Sequence, residues 1–235
     1  MSLPKLDSMM IELVVPSTKI KLKMKKMRVK EEKILLTAKE GKDIAEILLA
    51  IKQCVNNCVV TPNFDIDQLA LFDLEYLFLK LRAVSVDSIA RVSYQDGDEK
   101  YDFDIDLNTI EVKFPENITN VIKVNESITL ELGYPSAALY SDTTLLSLKP
   151  DQFFNILLSK CIKKIYQGDK QFNLDSHTPE EIEEFVDSLD IPVYEKIKEY
   201  FSNLPRMEHI IEYKNKSGVD RKITLSTLDD FFILA

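Results

Sequence analysis

Between Phe72 and Val86 the chain reads Phe-Asp-Leu-Glu-Tyr-Leu-Phe-Leu-Lys-Leu-Arg-Ala-Val-Ser-Val, a stretch with almost no surface to give to water. With residues roughly 100° apart around a helix axis, two apolar faces appear. Leu69, Phe72, Tyr76, Leu79 and Ala83 form one; Ala70, Leu74, Leu77, Leu81 and Val84 form the other. Thin polar stripes separate them: Asp73 with Lys80, and Gln68 with Glu75 and Arg82. A helix of this kind, expected from about Asp67 to Val86, lies between two layers or between its own domain and a partner. It carries no chemistry of its own.

The flanking pattern is α+β. Residues 9–25 read as a hairpin: Met10 to Val15, a turn through Pro16-Ser-Thr, then strict alternation from Lys19 to Met24 with Ile20, Leu22 and Met24 inward. A short helix follows from about Lys30 to Glu40, ended by Gly41, and another from about Asp43 to Asn57 with Ile44, Ile47, Leu48, Ile51 and Val55 at helical spacing. Strands are expected at Ile89–Tyr94 and Tyr101–Leu107 around Asp96-Gly97, then at Ile110–Phe114, Val121–Val124 and Ile128–Leu132. The last third reads as helical: Pro150–Tyr166 with Gly168 just past its end, a helix starting at Thr178-Pro179 with Glu181 in the capping-box position, and a further one from about Pro192 to Asn203. A terminal hairpin, His209–Tyr213 and Arg221–Leu225, and a short helix from Thr227 to Ala235 close the chain. The expected domains are residues 1–88, a hairpin with helices around the buried central helix; 89–135, antiparallel strands; and 136–235, helices with the terminal hairpin.

Composition narrows the function classes. A formal net charge of -9 opposes a chain living on phosphate backbones, because it lacks the counterion-release contribution. No Gly-rich phosphate loop occurs, and Trp is absent. The exception to the acidic balance is Lys19 to Lys33, where Lys19, Lys21, Lys23, Lys25, Lys26, Arg28, Lys30 and Lys33 face only Glu31 and Glu32. Its plainer reading is a strand edge guarded against pairing; the other is a basic patch for an acidic partner. Three cysteines, Cys54, Cys58 and Cys161, suit a reduced, cytoplasmic site of synthesis, and Cys54 with Cys58 reads as core packing rather than a metal pair. No apolar run is long enough to span a bilayer, and the N-terminus lacks a signal-peptide apolar region.

Candidate chemistry is thin. Asp102, Asp104 and Asp106 would share one strand face about 7 Å apart. They could bind a divalent cation or serve a metal-dependent enzyme, but period-2 alternation explains them as a solvated sheet face. His177 and His209 have no nucleophile context nearby. Arg82 is the candidate buried charge, with Glu75 too far along the helix for a direct pair. No catalytic, cofactor-binding or metal residue is expected.

A family resemblance carries the functional expectation. Leu3-Pro-Lys-Leu6, Leu13-Val-Val-Pro-Ser-Thr18, Lys30-Glu-Glu-Lys-Ile-Leu-Leu36 and Ala50-Ile-Lys-Gln-Cys-Val-Asn-Asn-Cys58 resemble, in order, segments of a tail-protein family of T4-like contractile-tailed bacteriophages. The family comprises the baseplate hub subunit and the related hub assembly protein. The strongest match is Phe72 to Val86; Leu204-Pro-Arg-Met207, His209 and Thr227-Leu-Asp-Asp-Phe-Phe232 complete it. The resemblance implies a non-enzymatic role in building the hub. The partners would be other phage baseplate hub and tail proteins, with no nucleic acid, membrane, small-molecule substrate or cofactor. Localisation would be the virion tail, with assembly in the host cytoplasm. The alternative is a transient, chaperone-like assembly factor absent from the mature virion. Some family members carry cysteine pairs in their hairpin turns; the turns here, 95–100 and 214–220, have none, so no metal is implied.

Overall fold

A computed structural model describes residues 7, 9–41 and 43–231. In chain order the elements are β1 (Met10–Val14), β2 (Lys21–Lys25), α1 (Val29–Gly41), α2 (Ile44–Cys58), α3 (Leu71–Ser85), β3 (Ile89–Asp96), β4 (Glu99–Asp106), β5 (Glu111–Lys113), β6 (Val121–Lys123) and β7 (Ile128–Leu132). There follow α4 (Ala137–Tyr140), α5 (Thr143–Leu146), α6 (Pro150–Cys161), β8 (Ile162–Gln167), β9 (Lys170–Asn173), α7 (Pro179–Asp187), α8 (Ile191–Ser202), β10 (Arg206–Lys214), β11 (Asp220–Leu225) and α9 (Leu228–Phe231). Helices and small antiparallel sheets make an α+β fold. Leu3–Leu6 and Phe232–Ala235, which the sequence reading used, lie outside the described residues.

Two compact units result. The first runs to Lys113 and resumes at Arg206; the second is Phe114–Pro205. In the first, β1 and β2 pair antiparallel in the register Met10↔Lys25 to Val14↔Lys21. Alternation buries Leu22 and Met24 completely. Ile20, expected inward, precedes the strand and is 52% exposed. Asp43 caps α2 by accepting from the Ala45 amide at 2.8 Å. The two-faced helix is α3, four residues shorter at its start than expected because a 3₁₀ turn at Ile66–Gln68 leads into it. Nine of its fifteen residues are buried and none is exposed. It is the buried central helix that its sequence demands.

The strands between residues 89 and 135 are shared among three sheets. β3 and β4 pair with each other; β5 joins β10 and β11 in the order β11-β10-β5; β6 and β7 join β8 and β9 in the order β6-β7-β8-β9. The loop between β3 and β4 is Gly97-Asp98, one residue later than the Asp96-Gly97 turn expected. Only Gly97 takes positive φ (+62°), the pattern of a type II′ turn, which needs glycine at its first position.

The second unit holds the largest correction. Pro150–Tyr166 is not one helix: α6 stops at Cys161 and β8 begins at Ile162. Ile162 and Ile165 are three apart, a helical spacing. They reach the same core because the register shifts opposite Glu131/Leu132, leaving Lys163 unpaired as a bulge. Gly133 lies against this bulge, where a Cβ would meet the Lys163 side-chain stem. Gly168, expected to end the helix, instead turns β8 into β9 with φ +57°. A helix C′ position and a tight hairpin both select glycine at positive φ, so the residue alone cannot distinguish them. The core is Ile122, Leu130, Leu132, Leu158 and Ile162 from α6 and the sheet, with Val186, Val193, Ile197 and Tyr200 from α7 and α8. Thr178 caps α7 as expected: its hydroxyl accepts from the Glu181 amide, and the Glu181 carboxylate accepts from the Thr178 amide at 2.9 Å.

Candidate functional site

The acidic row on β4 is matched residue by residue across its hairpin. Arg91 stands opposite Asp104 and binds it at 3.0 Å; Ser93 stands opposite Asp102 and donates to it at 2.5 Å. Asp106 accepts from the Asn108 amide at 2.9 Å and so caps the 3₁₀ turn that follows. Each carboxylate has a local partner, and the three do not converge.

The thiols are buried and unreactive in character. Cys54 donates to the Glu31 carbonyl at 3.4 Å. Burial, reinforced by the Glu31 charge, pushes Cys54 up to about 12 and Cys58 to about 11; burial pushes Cys161 to about 12. Glu31 is itself 1% exposed, a burial that the sequence does not signal. Its carboxylate accepts from the Arg28 amide at 3.0 Å at the start of α1 and pairs with Lys30 at 3.2 Å. Among the described residues no group of three or more His, Cys, Asp or Glu side chains could hold a metal ion. His177 sits beside Glu181 at 3.3 Å, and His209 is half-buried within β10.

The residues that matter most for the architecture were read only as a polar stripe. Asp73 and Lys80 are the buried charges of α3, at 0% and 7% exposure, whereas the expected Arg82 is half-buried. Asp73 accepts from the Ser17 amide at 2.9 Å and from its hydroxyl, fastening the β1–β2 turn to the helix. Burial raises the Asp73 carboxyl above its ordinary range, and the Ser17 hydrogen bonds oppose that shift. Lys80 donates to the Leu107 carbonyl at 3.3 Å, the Asn108 carbonyl at 2.7 Å and Glu111 at 3.3 Å. Tyr76 donates to Glu111 at 3.0 Å, with the Lys80 ammonium 5.1 Å from its ring. Ser85 accepts from the Met27 amide at 2.9 Å. One helix thus anchors the first hairpin, the entry to α1 and the approach to β5.

Two of the hairpins of the first unit, β3–β4 and β10–β11, clasp each other. Tyr213 on β10 lies 4.8 Å from Tyr101 and 5.3 Å from Phe103, centroid to centroid. Its hydroxyl donates to Asp96 at 3.1 Å, which also binds Arg221 at 3.1 Å. The Lys216 amide donates to the Tyr101 hydroxyl at 2.9 Å.

What remains on the surface is suited to contact. A cleft of about 410 Å³ in the first unit has Leu35, Leu36, Ile47, Ile51, Phe78 and Phe231 among its apolar walls and Glu32, Lys39, Arg82, Asp87 and Arg91 among its charged lining. A smaller one of about 270 Å³ in the second unit lies among Ile128, Ile165, Phe172 and Phe185. No helix among the described residues is long and apolar enough to cross a membrane. The sequence matches the family described as T4 bacteriophage base plate protein over residues 8–233. No curated protein and no solved structure matches it.

Proposed function

We propose that this chain, which belongs to the T4 bacteriophage base plate protein family, is a non-enzymatic component of the baseplate hub and acts in hub assembly through protein–protein contacts. Membership makes it a phage baseplate protein. The hub assignment rests on the ordered segments from Leu13 to Phe232, above all the Phe72–Val86 helix. The observation that carries the reading is the family match over residues 8–233, which supports a baseplate role. Apolar clefts and exposed apolar side chains among the described residues support a role in contact. Its partners are other hub and tail proteins, and neither nucleic acid, membrane nor small-molecule substrate is assigned. It is made in the host cytoplasm and retained in the virion.

Mass spectrometry of purified virions, with a pull-down from infected cells, tests this. A stoichiometric copy in finished tails is the expected result. Presence in lysate complexes but absence from particles would replace the subunit by a transient assembly factor.

A further inference from the structure

The lysine-rich strand β2 is not an edge. On one side it pairs with β1; on the other the Val60 amide donates to the Lys23 carbonyl at 2.8 Å, the Lys23 amide donates to the Thr61 hydroxyl at 2.8 Å, and Met24 faces Val59 in a bridge. A strand bonded on both sides needs no charged guard against pairing. Of the two strands of this hairpin, β1 has no such neighbour on its outer side among the described residues, and it carries none of these lysines.

Lys21, Lys23 and Lys25 nevertheless line one outward face, opposite Val14, Glu12 and Met10. Glu12 neutralises Lys21 at 3.0 Å; neither Lys23 nor Lys25 has a carboxylate partner among the described residues. Met9, Met10, Ile20 and Val60 are exposed on the same hairpin and the segment beside it. Unpaired lysines interspersed with exposed apolar side chains form a docking face.

The complementary surface lies on α7. Glu180, Glu183, Glu184 and Asp187 fall within one stripe of that helix, while Ile182, Phe185 and Val186 turn the other way into its own unit. The helix has no Lys or Arg, and none of these four carboxylates has a cationic partner among the described residues. Glu180 to Asp187 spans about 10 Å along a helix, and Lys21 to Lys25 about 14 Å along a strand, a mismatch that flexible lysine stems absorb. We propose that the β1–β2 face of one copy docks the acidic α7 helix of a second copy. The contact pairs two different patches, so it either closes reciprocally as a two-fold dimer or propagates head to tail into a ring or chain. This goes beyond membership of a baseplate and does not depend on the hub assignment.

Sedimentation velocity of the purified full-length chain at about 50 mM and about 500 mM salt tests it. Species larger than the monomer are expected at low salt and should dissociate at high salt. The triple variant Lys21→Glu, Lys23→Glu, Lys25→Glu should lose association by about tenfold or more, as should Glu180→Lys, Glu184→Lys, Asp187→Lys. An equimolar mixture of the two reversed chains should associate again, which a merely unfolded variant could not do. A Lys→Gln version of the first triple should weaken association without adding charge. A wild-type chain that stays monomeric at both salts would overturn the proposal, as would association that survives either reversal or a mixture that stays apart. A labelled DNA duplex that bound the wild type and not the Lys→Glu triple would assign the face to nucleic acid instead.

Discussion

Lys80 offers the sharpest test of what holds the first unit together, because its three oxygen partners are unequal. The Glu111 side chain is 67% exposed, so the ion pair contributes only about 0–1 kcal/mol. Leu107 is 1% exposed, and its carbonyl has little access to water if the ammonium is removed. A hydrogen bond to a charged group contributes roughly 1.5–3 kcal/mol, and an unsatisfied buried acceptor costs about 1–3 kcal/mol. Methionine keeps the packed stem and removes the charge. Lys80→Met should therefore destabilise by about 2–3 kcal/mol and Glu111→Gln by under about 1 kcal/mol. For a chain of this length that is a fall of roughly 4–12 °C against roughly 4 °C or less in the midpoint of thermal unfolding, read by circular dichroism. Equal losses from the two substitutions would refute the reasoning, since the exposed carboxylate would then be the anchor and not the buried carbonyl.

Other outcomes follow from the same structure. The raised Asp73 carboxyl binds protons more readily folded than unfolded, so its contribution is fully present below the ordinary aspartate range and is lost as pH rises through its folded value. Asp73→Asn, whose amide oxygen can still accept from Ser17, should gain stability relative to the wild type as pH is raised across that window; a constant difference would contradict the assignment. Thr178→Ala should cost about 1 kcal/mol in urea unfolding by removing the α7 cap. With thiols near 11 to 12 and buried, the folded chain should react with Ellman's reagent far more slowly at pH 8 than the urea-unfolded chain, with all three cysteines then accessible.

Local periodicity was a good guide where the environment of a residue is set by its own element. The alternation of Lys21 to Lys25, the two faces of α3 and the Thr178–Glu181 box are all nearest-neighbour signals, and each is present in the fold. Sequence reading failed where the partner is distant. Asp73 is buried because Ser17, 56 positions away, satisfies it. β5 pairs with β10 across 95 positions at Val112 and Met207, a ladder that no local pattern predicts. β8 was taken for helix because its bulge mimics helical spacing. The candidate surfaces share this limit: the lysine alternation was visible, but whether β2 was an edge depended on Val59–Thr61 folding back against it.

The same distinction bears on how assembly defects should be sorted. α3 presents no fully exposed residue; beyond its half-buried positions, a partner can reach it only through the cleft that Phe78 and Arg82 help to line. Its buried face acts on function through the segments tied to it at Asp73, Lys80 and Ser85. Substitutions within α3 should therefore lower soluble yield and tail assembly together. Charge changes at Lys23 or Lys25, and apolar-to-polar changes at the cleft residue Leu36, which is 51% exposed, should leave the circular dichroism unchanged and the unfolding free energy within about 0.5 kcal/mol of wild type. If those changes reduce tail assembly, the loss arises from contact and not from folding. A substitution at a fully buried α3 position such as Leu74, Leu77 or Leu81 that blocked assembly at wild-type stability would break the argument, because it would require a partner to reach side chains that the fold encloses.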